Sequence, residues 1–300
     1  MKKRRFYFTL IATGFMFSCI LMGCDGKNDN RIPPESTTVP VRYWLTSADG
    51  KTLLNEEPAL KFGFVNNAFP VIDVDTTQVF QRMEGFGYTL TGGSAILISR
   101  MGVTERQALL KELFTEEGIG ISYLRVSIGA SDLSDRVFSY NDLAPGETDP
   151  EMKKFSLDPD KKELIPVLKE ILALNPDLKI LGSPWSPPVW MKDNKQSKGG
   201  SLLPEYYDAY ALYLVKYIQG MAKEGIPIDA ITVQNEPLHP GNNPSMLMLA
   251  GEQAAFIRQS LGPAFKNAGL RTKIIIYDHN ADRIDYPLEV LGDVGAREYI

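Results

Sequence analysis

Apolar positions recur with a period of two early in the chain and with a longer, helical period beyond residue 83. Val41-Arg42-Tyr43-Trp44-Leu45-Thr46 alternates, Asp49-Gly50 is a hairpin turn signal, and Val71-Ile72-Asp73-Val74-Asp75 alternates again. Residues 41–82 therefore read as β-strands, too few to close a sheet alone. Helices are expected over 104–117, 161–175, 204–224 and 247–268, and a helix-like stretch runs from 287 to 300. In the first, Thr104 reads as the N-cap, Gly118 as the stop, and Leu109, Leu110, Leu113 and Phe114 as the apolar face. Between the helices lie short apolar runs: Tyr123 to Ile128, Lys179 to Gly182, Ala230 to Val233 and Lys273 to Tyr277. Near-continuous apolar strands alternating with long helices imply a parallel sheet covered by helices. No Gly-x-Gly-x-x-Gly turn follows any strand, so a dinucleotide fold has no support.

The start of the chain has a different pattern. MKKRR precedes an apolar run from Phe6 to Met22, which reads as a secretory signal peptide over 1–23. Leu21-Met22-Gly23-Cys24 resembles a bacterial lipobox, in which Cys24 becomes the lipidated first residue. An ordinary signal with an incidental cysteine would instead carry a small-x-small site. Residues 24–40 hold three prolines and few apolar groups, the composition of a flexible tether. The only cysteines are Cys19 and Cys24, so a lipidated mature chain has no disulfide and relies on its core. Formal net charge is −5; without residues 1–23 it is 28 basic against 37 acidic groups, or −9. That balance argues against nucleic acid and anionic lipid surfaces as partners. It suits a neutral substrate and a body tethered to the cell envelope by lipid.

The polar residues concentrate where strands end. Gly85-Phe86-Gly87-Tyr88 leads to Thr89, Thr91 and Gly92-Gly93. Later strands run into Ser127 to Asp132, Ser183-Pro184-Trp185-Ser186, Gln234-Asn235-Glu236-Pro237 and Tyr277-Asp278-His279-Asn280. The segments entering the strands are plainer. A (β/α)8 TIM barrel produces this asymmetry, because its active site is assembled at the C-terminal strand ends. Partial desolvation lets a strand-end carboxyl hold a proton until a leaving oxygen needs it, which makes Glu236 a candidate acid. Asn235 is placed to bond a sugar hydroxyl beside the reacting carbon. Trp185 offers a flat face for a sugar ring, and Asp132 and Asp278 offer acceptors for hydroxyls. Each has a plainer alternative: a polar turn for Glu236, a core aromatic for Trp185, a helix N-cap for Asp132, a structural acceptor for Asp278. Trp190 reads as loop packing, and Tyr206, Tyr207, Tyr210, Tyr213 and Tyr217 as a helix face packed on the barrel. No His/Cys/carboxylate cluster has metal-ligand spacing, His239 and His279 being the only histidines, and no phosphate loop or nucleophile elbow occurs. No cofactor is expected.

GFGY, RVSIGASD, SPWSPPVWMK, VQNEP and YDHN together resemble glycoside hydrolase family 30, which includes glucosylceramidases and β-1,6-glucanases. The resemblance covers roughly residues 80–300 and assigns 83–300 to the first part of the catalytic barrel. It implies that strands over 41–82 belong to an attached β-sandwich side domain. It implies a retaining β-glycosidase with Glu236 as general acid/base, Asn235 orienting the sugar, and Asp132, Trp185 and Asp278 lining the glycone site. Tyr88 stands where the family's GFGG-type motif has its last glycine. Retaining hydrolysis needs a second carboxylate, about 5 Å from the first. In the family it is a glutamate at the seventh strand end, and no residue up to Ile300 matches it. The chain is accordingly expected to be a segment of a longer protein, because a half barrel leaves sheet edges exposed. The rival expectation is a surface glycan-binding lipoprotein with a decayed site.

Overall fold

The computed structural model describes residues 40–61, 68–70 and 75–300. The signal peptide, Cys24, the tether up to Val39 and the alternating stretch Val71 to Val74 lie outside them. The chain divides into two compact units, one ending at Val79 and one running from Phe80 to Ile300.

In the first unit β1 (Pro40–Val41), β2 (Trp44–Leu45), β3 (Asn55–Glu56) and β4 (Leu60–Lys61) form two antiparallel ladders, β1 with β4 and β2 with β3. The turn falls where Asp49-Gly50 put it. Gly50 takes φ +69°, a conformation glycine adopts without steric cost, and its amide bonds Ser47 O at 3.0 Å.

The second unit is a parallel sheet with helices between its strands. β5 (Gly87–Leu90) is followed by α1 (Gly92–Arg100) and α2 (Val103–Phe114), and β6 (Tyr123–Ile128) by α3 (Leu164–Leu174). β7 (Lys179–Pro184) leads to α4 (Tyr207–Lys223). After β8 (Ala230–Thr232), α5 (Ala250–Phe256), a π-helical turn (Ile257–Leu261) and α6 (Gly262–Asn267) run on without a break. β9 (Lys273–Ile275) precedes α7 (Asp285–Gly292) and α8 (Val294–Arg297). The five strands pair in chain order, all parallel. An order that never reverses is the winding of a barrel, whereas a doubly wound sheet reverses at a switch point.

The core forms where helix faces meet the sheet. Leu124, Val126 and Ile128 of β6, Leu168 and Ile171 of α3, and Tyr217 of α4 are fully buried. Fully burying each aliphatic side chain stabilises by about 1.5–3 kcal/mol. The tyrosine face of α4 packs inward as expected: Tyr140 stacks on Tyr213 and Tyr217 with ring centroids 5.9 and 5.7 Å apart.

Several boundaries differ from the sequence reading. Thr104 lies inside α2, whose N-cap is Gly102, and the helix ends at Phe114 rather than at residue 117. The terminus is closed at Ile119, whose amide bonds Glu112 O at 2.7 Å. α1 was not expected, because Gly92-Gly93 is a poor helix opening. Thr91 caps it by accepting from the Ser94 amide, and a Cβ on Gly93 would meet Leu133 O at 2.6 Å. β9 stops at Ile275, short of Tyr277, since Tyr277 and Asp278 turn to φ +72° and +38°.

Candidate active site

The C-terminal strand ends converge on one guanidinium. Side chains alternate faces along a strand, so Arg125 of β6 faces the same side as Ser183 of β7 and Thr232 of β8. Arg125 Nη2 donates to Ser183 Oγ at 3.0 Å, to Asn235 Oδ1 at 2.7 Å and to Asp278 Oδ2 at 2.8 Å. That nitrogen carries two hydrogens, so three acceptors share them in a bifurcated arrangement. Ser183 Oγ donates in turn to Asp278 Oδ2 at 2.8 Å and accepts from Thr232 Oγ1 at 2.6 Å. Its single proton and both lone pairs are thereby used. The guanidinium also lies over the Trp185 ring, 4.8 Å from its centroid.

This network fixes the orientation of Asn235. A guanidinium only donates, so the Asn235 atom facing it is Oδ1, and the Nδ2 donors point away from Arg125. The Asn235 amide bonds Pro184 O at 2.8 Å, which ties the end of β8 to the end of β7. Glu236 follows with φ +44°, and its amide bonds Asp278 O at 3.0 Å. Glu236, Tyr277 and Asp278 are non-glycine residues in the left-handed region, clustered at two neighbouring strand ends. Such conformations cost about 1–3 kcal/mol each and persist where the surroundings over-determine them. Glu236 Oε2 accepts from Asn242 Nδ2 at 3.0 Å, and Oε1 lies 4.0 Å from His279 Nε2.

The structure thus brings Asn235, Glu236, Asp278 and Trp185 together. Asp278 gives one carboxylate oxygen to Arg125 and Ser183, so it holds the network as well as facing the site. Trp185 is 6% exposed with Arg125 across its face, so little of the ring is open. Asp132 is exposed and outside the network. No helix starts at Asp132, and the turn amide of Leu133 goes to Ser131 Oγ at 3.2 Å. Trp190 packs in a loop as expected, its Nε1 donating to Asn141 Oδ1 at 2.9 Å. Sequence reasoning passed over Arg125, Ser183, Thr232 and Asn242. The available signal was Arg125 itself, a charge inside an apolar parallel strand that must find partners. Among the described residues no group of three or more His, Cys, Asp or Glu is placed to hold a metal ion, and no helix is long and apolar enough to cross a membrane.

The arrangement offers a strand-end carboxyl, a fixed amide donor beside it and an ion pair beneath, the elements of acid–base chemistry on a hydroxyl-rich substrate. Comparison with known proteins agrees in kind. The glycosyl hydrolase family 30 TIM-barrel domain matches residues 83–300. Endo-1,6-beta-D-glucanase of Neurospora crassa is 40% identical over 271 residues, covering 87% of this chain and 56% of that protein. Putative glucosylceramidase 1 of Caenorhabditis elegans is 30% identical, covering 96% of this chain and 56% of its own length. Among solved structures, the endo-beta1,6-glucanase BT3312 superposes with a TM-score of 0.77 at 36% identity, covering 86% of this chain and 58% of that one. The chain spans about half the length of the curated relatives it matches.

Proposed function

The chain belongs to glycosyl hydrolase family 30, and from that premise we propose that its protein is a retaining hydrolase of β-1,6-glucan with Glu236 as the general acid/base. The observation that carries the reading is Glu236 itself. It stands at the C-terminal end of a barrel strand, in a left-handed conformation, with a donor near each oxygen. In the first step the Glu236 proton passes to the glycosidic oxygen, which leaves with the C–O bonding pair while a second carboxylate bonds the anomeric carbon. In the second step water attacks that carbon, gives its proton to Glu236 and releases the carboxylate. The nucleophile of the family pattern, a glutamate at the seventh strand end, has no counterpart in the five strands here. Asn235 Nδ2, turned away from Arg125, bonds the hydroxyl beside the reacting carbon. Similarity favours a glucan substrate: identity is 40% to the Neurospora glucanase and 30% to the nematode putative glucosylceramidase.

The test uses the leaving group. Glu236→Ala should abolish hydrolysis of β-1,6-linked oligosaccharides, whose sugar leaving groups need a proton. A dinitrophenyl β-glucoside leaves unaided and should still form the covalent intermediate, and azide should release it as the β-glycosyl azide. Equal loss on both substrates without azide rescue sinks the assignment. An α-glycosyl azide would mark Glu236 as the nucleophile instead. No activity of the unmodified protein on any glycan would favour a binding lipoprotein.

We propose further that Cys24 anchors the protein to the bacterial cell envelope through lipid, on the strength of Leu21-Met22-Gly23-Cys24 after an apolar run. Cys24→Ser should move the full-length protein out of the membrane fraction; an unchanged distribution rejects the anchor.

A further inference from the structure

Among the described residues, His279 is a titratable side chain near Glu236 without a defined role. It comes from the turn after β9 and directly follows Tyr277 and Asp278, whose positive φ bends the backbone there. Its side chain is 14% exposed, and its Nε2 lies 4.0 Å from Glu236 Oε1. Its Nδ1 is buried and has no hydrogen-bond partner. These two facts settle the tautomer. A neutral imidazole carries one N–H. Placed on Nδ1, that N–H would be a buried donor without an acceptor, the rarer and costlier orphan. Placed on Nε2, it faces a carboxylate oxygen. The proton therefore sits on Nε2.

The two Glu236 oxygens are then distinguished. Oε2 is held by Asn242 Nδ2 at 3.0 Å, a full hydrogen bond. Oε1 has a donor nitrogen 4.0 Å away, beyond bonding distance, which leaves it able to carry a proton and turn it toward a substrate. When that proton departs, Oε1 is left with negative charge and the His279 Nε2 donor nearby. Donors set in place for a charge that develops during reaction lower the barrier without reorganisation. Hydrogen bonds of this sort are commonly long before substrate binds and tighten as the reaction proceeds.

We propose that His279 is a positioning residue for Glu236, its Nε2–H stabilising the carboxylate that remains on Oε1 after proton transfer. The assignment rests on the reading of Glu236 as acid/base, so the experiment separates the two. In the intact protein, His279→Leu removes the donor at similar volume, and His279→Gln retains an N–H near the Nε2 position. The measured quantity is kcat/KM on a β-1,6-linked oligosaccharide and on dinitrophenyl β-glucoside. His279→Leu should lose about ten- to a hundredfold on the oligosaccharide, the range of one hydrogen bond to a charged group. It should stay within about twofold on the aryl glucoside, whose departure needs no proton, and His279→Gln should recover most of the loss. Equal loss on both substrates would reduce His279 to a packing residue, and so would a Gln variant as impaired as Leu. Glu236→Ala on the same substrates is the reference. If it fails to separate them, the acid/base reading falls; if it separates them and His279→Leu does not, only the His279 assignment falls.

Discussion

The same five strands carry an ionic cluster at each end, and the two are built differently. Where the strands begin, Glu84 reaches Lys273 at 2.5 Å and Lys179 at 3.3 Å, with all three side chains 39–59% exposed. Where they end, Arg125 and Asp278 meet at 2.8 Å with 21% of each side chain exposed, and the remaining acceptors are neutral side chains. Water solvates the first cluster in any arrangement, so its members are interchangeable with other polar groups. The second is partly removed from water and must satisfy each group from within. The left-handed residues Glu236, Tyr277 and Asp278 also fall at that end. A barrel thus places its tolerant ionic contacts on the face that serves stability and its exacting ones on the face that serves chemistry.

The largest effect should follow from Arg125→Met. It strands Asp278 and Asn235 Oδ1 at once, and breaking a buried ion pair from one side costs about 3–5 kcal/mol, the lower end applying to this partly exposed pair. Urea denaturation should show that loss, with hydrolytic activity falling by more than the stability alone explains because Asn235 is no longer held. Arg125→Lys should recover part of the stability and little of the activity, since one ammonium cannot reproduce the planar fork over Trp185. A Met variant as stable as the parent would mean that the exit-end cluster is as tolerant as the entry-end one.

A second, smaller effect concerns an exit-face cation with no carboxylate bonded to it. Lys192, fully buried in the loop after β7, donates to Ser186 Oγ at 3.1 Å, Ser197 O at 3.1 Å and Ser245 O at 2.7 Å. Those bonds tie this loop to the one carrying Asn242. Burial pushes the Lys192 ammonium down from 10.5 to about 8. Between about pH 8 and 10.5 the unfolded chain keeps a proton that the folded one has released, so this group makes stability rise with pH across that window. Lys192→Met lacks both these bonds and the rise. Its deficit should therefore widen from pH 7.5 to 9.5, by at most roughly 1.4 kcal/mol per pH unit. A constant deficit would show that the ammonium is solvated in the folded state.

Much of this was legible in the sequence, for reasons that differ by element. β6 appears over the residues expected, Tyr123–Ile128, because every second residue, Leu124, Val126 and Ile128, is a fully buried aliphatic with the period of a strand. α1 was hidden by Gly92-Gly93, which propensity alone counts against a helix, although the close approach of Leu133 O demands a glycine at 93. Asn235, Glu236 and Asp278 stood out because polar groups at the ends of apolar strands have few structural uses. Arg125 did not, since its partners lie 58, 110 and 153 residues away and only the closing of the sheet brings them to one nitrogen. Asp132 sits in the long segment between β6 and α3, whose path no local period encodes.

The smallest effect is expected at the entry end and completes the comparison. Glu84 is held below the usual carboxylate range, first by its hydrogen bond from Lys273 and then by that from Lys179. A carboxyl depressed in the folded state contributes stability above its unfolded value, and that contribution is lost as pH falls through the folded one. Here all partners are solvated, so the contribution at neutral pH is small and screened by salt. Glu84→Gln should lower Tm by no more than about 2 °C at pH 7. The difference should shrink in 1 M sodium chloride, where the screening length is about 3 Å, and shrink again at pH 3, where the parent carboxyl is itself becoming protonated. Catalysis should be untouched, because Glu84 lies at the opposite strand ends from Glu236. A large, salt-independent drop would place Glu84 in the same class as Asp278, and the two ends of the sheet would then be equally exacting.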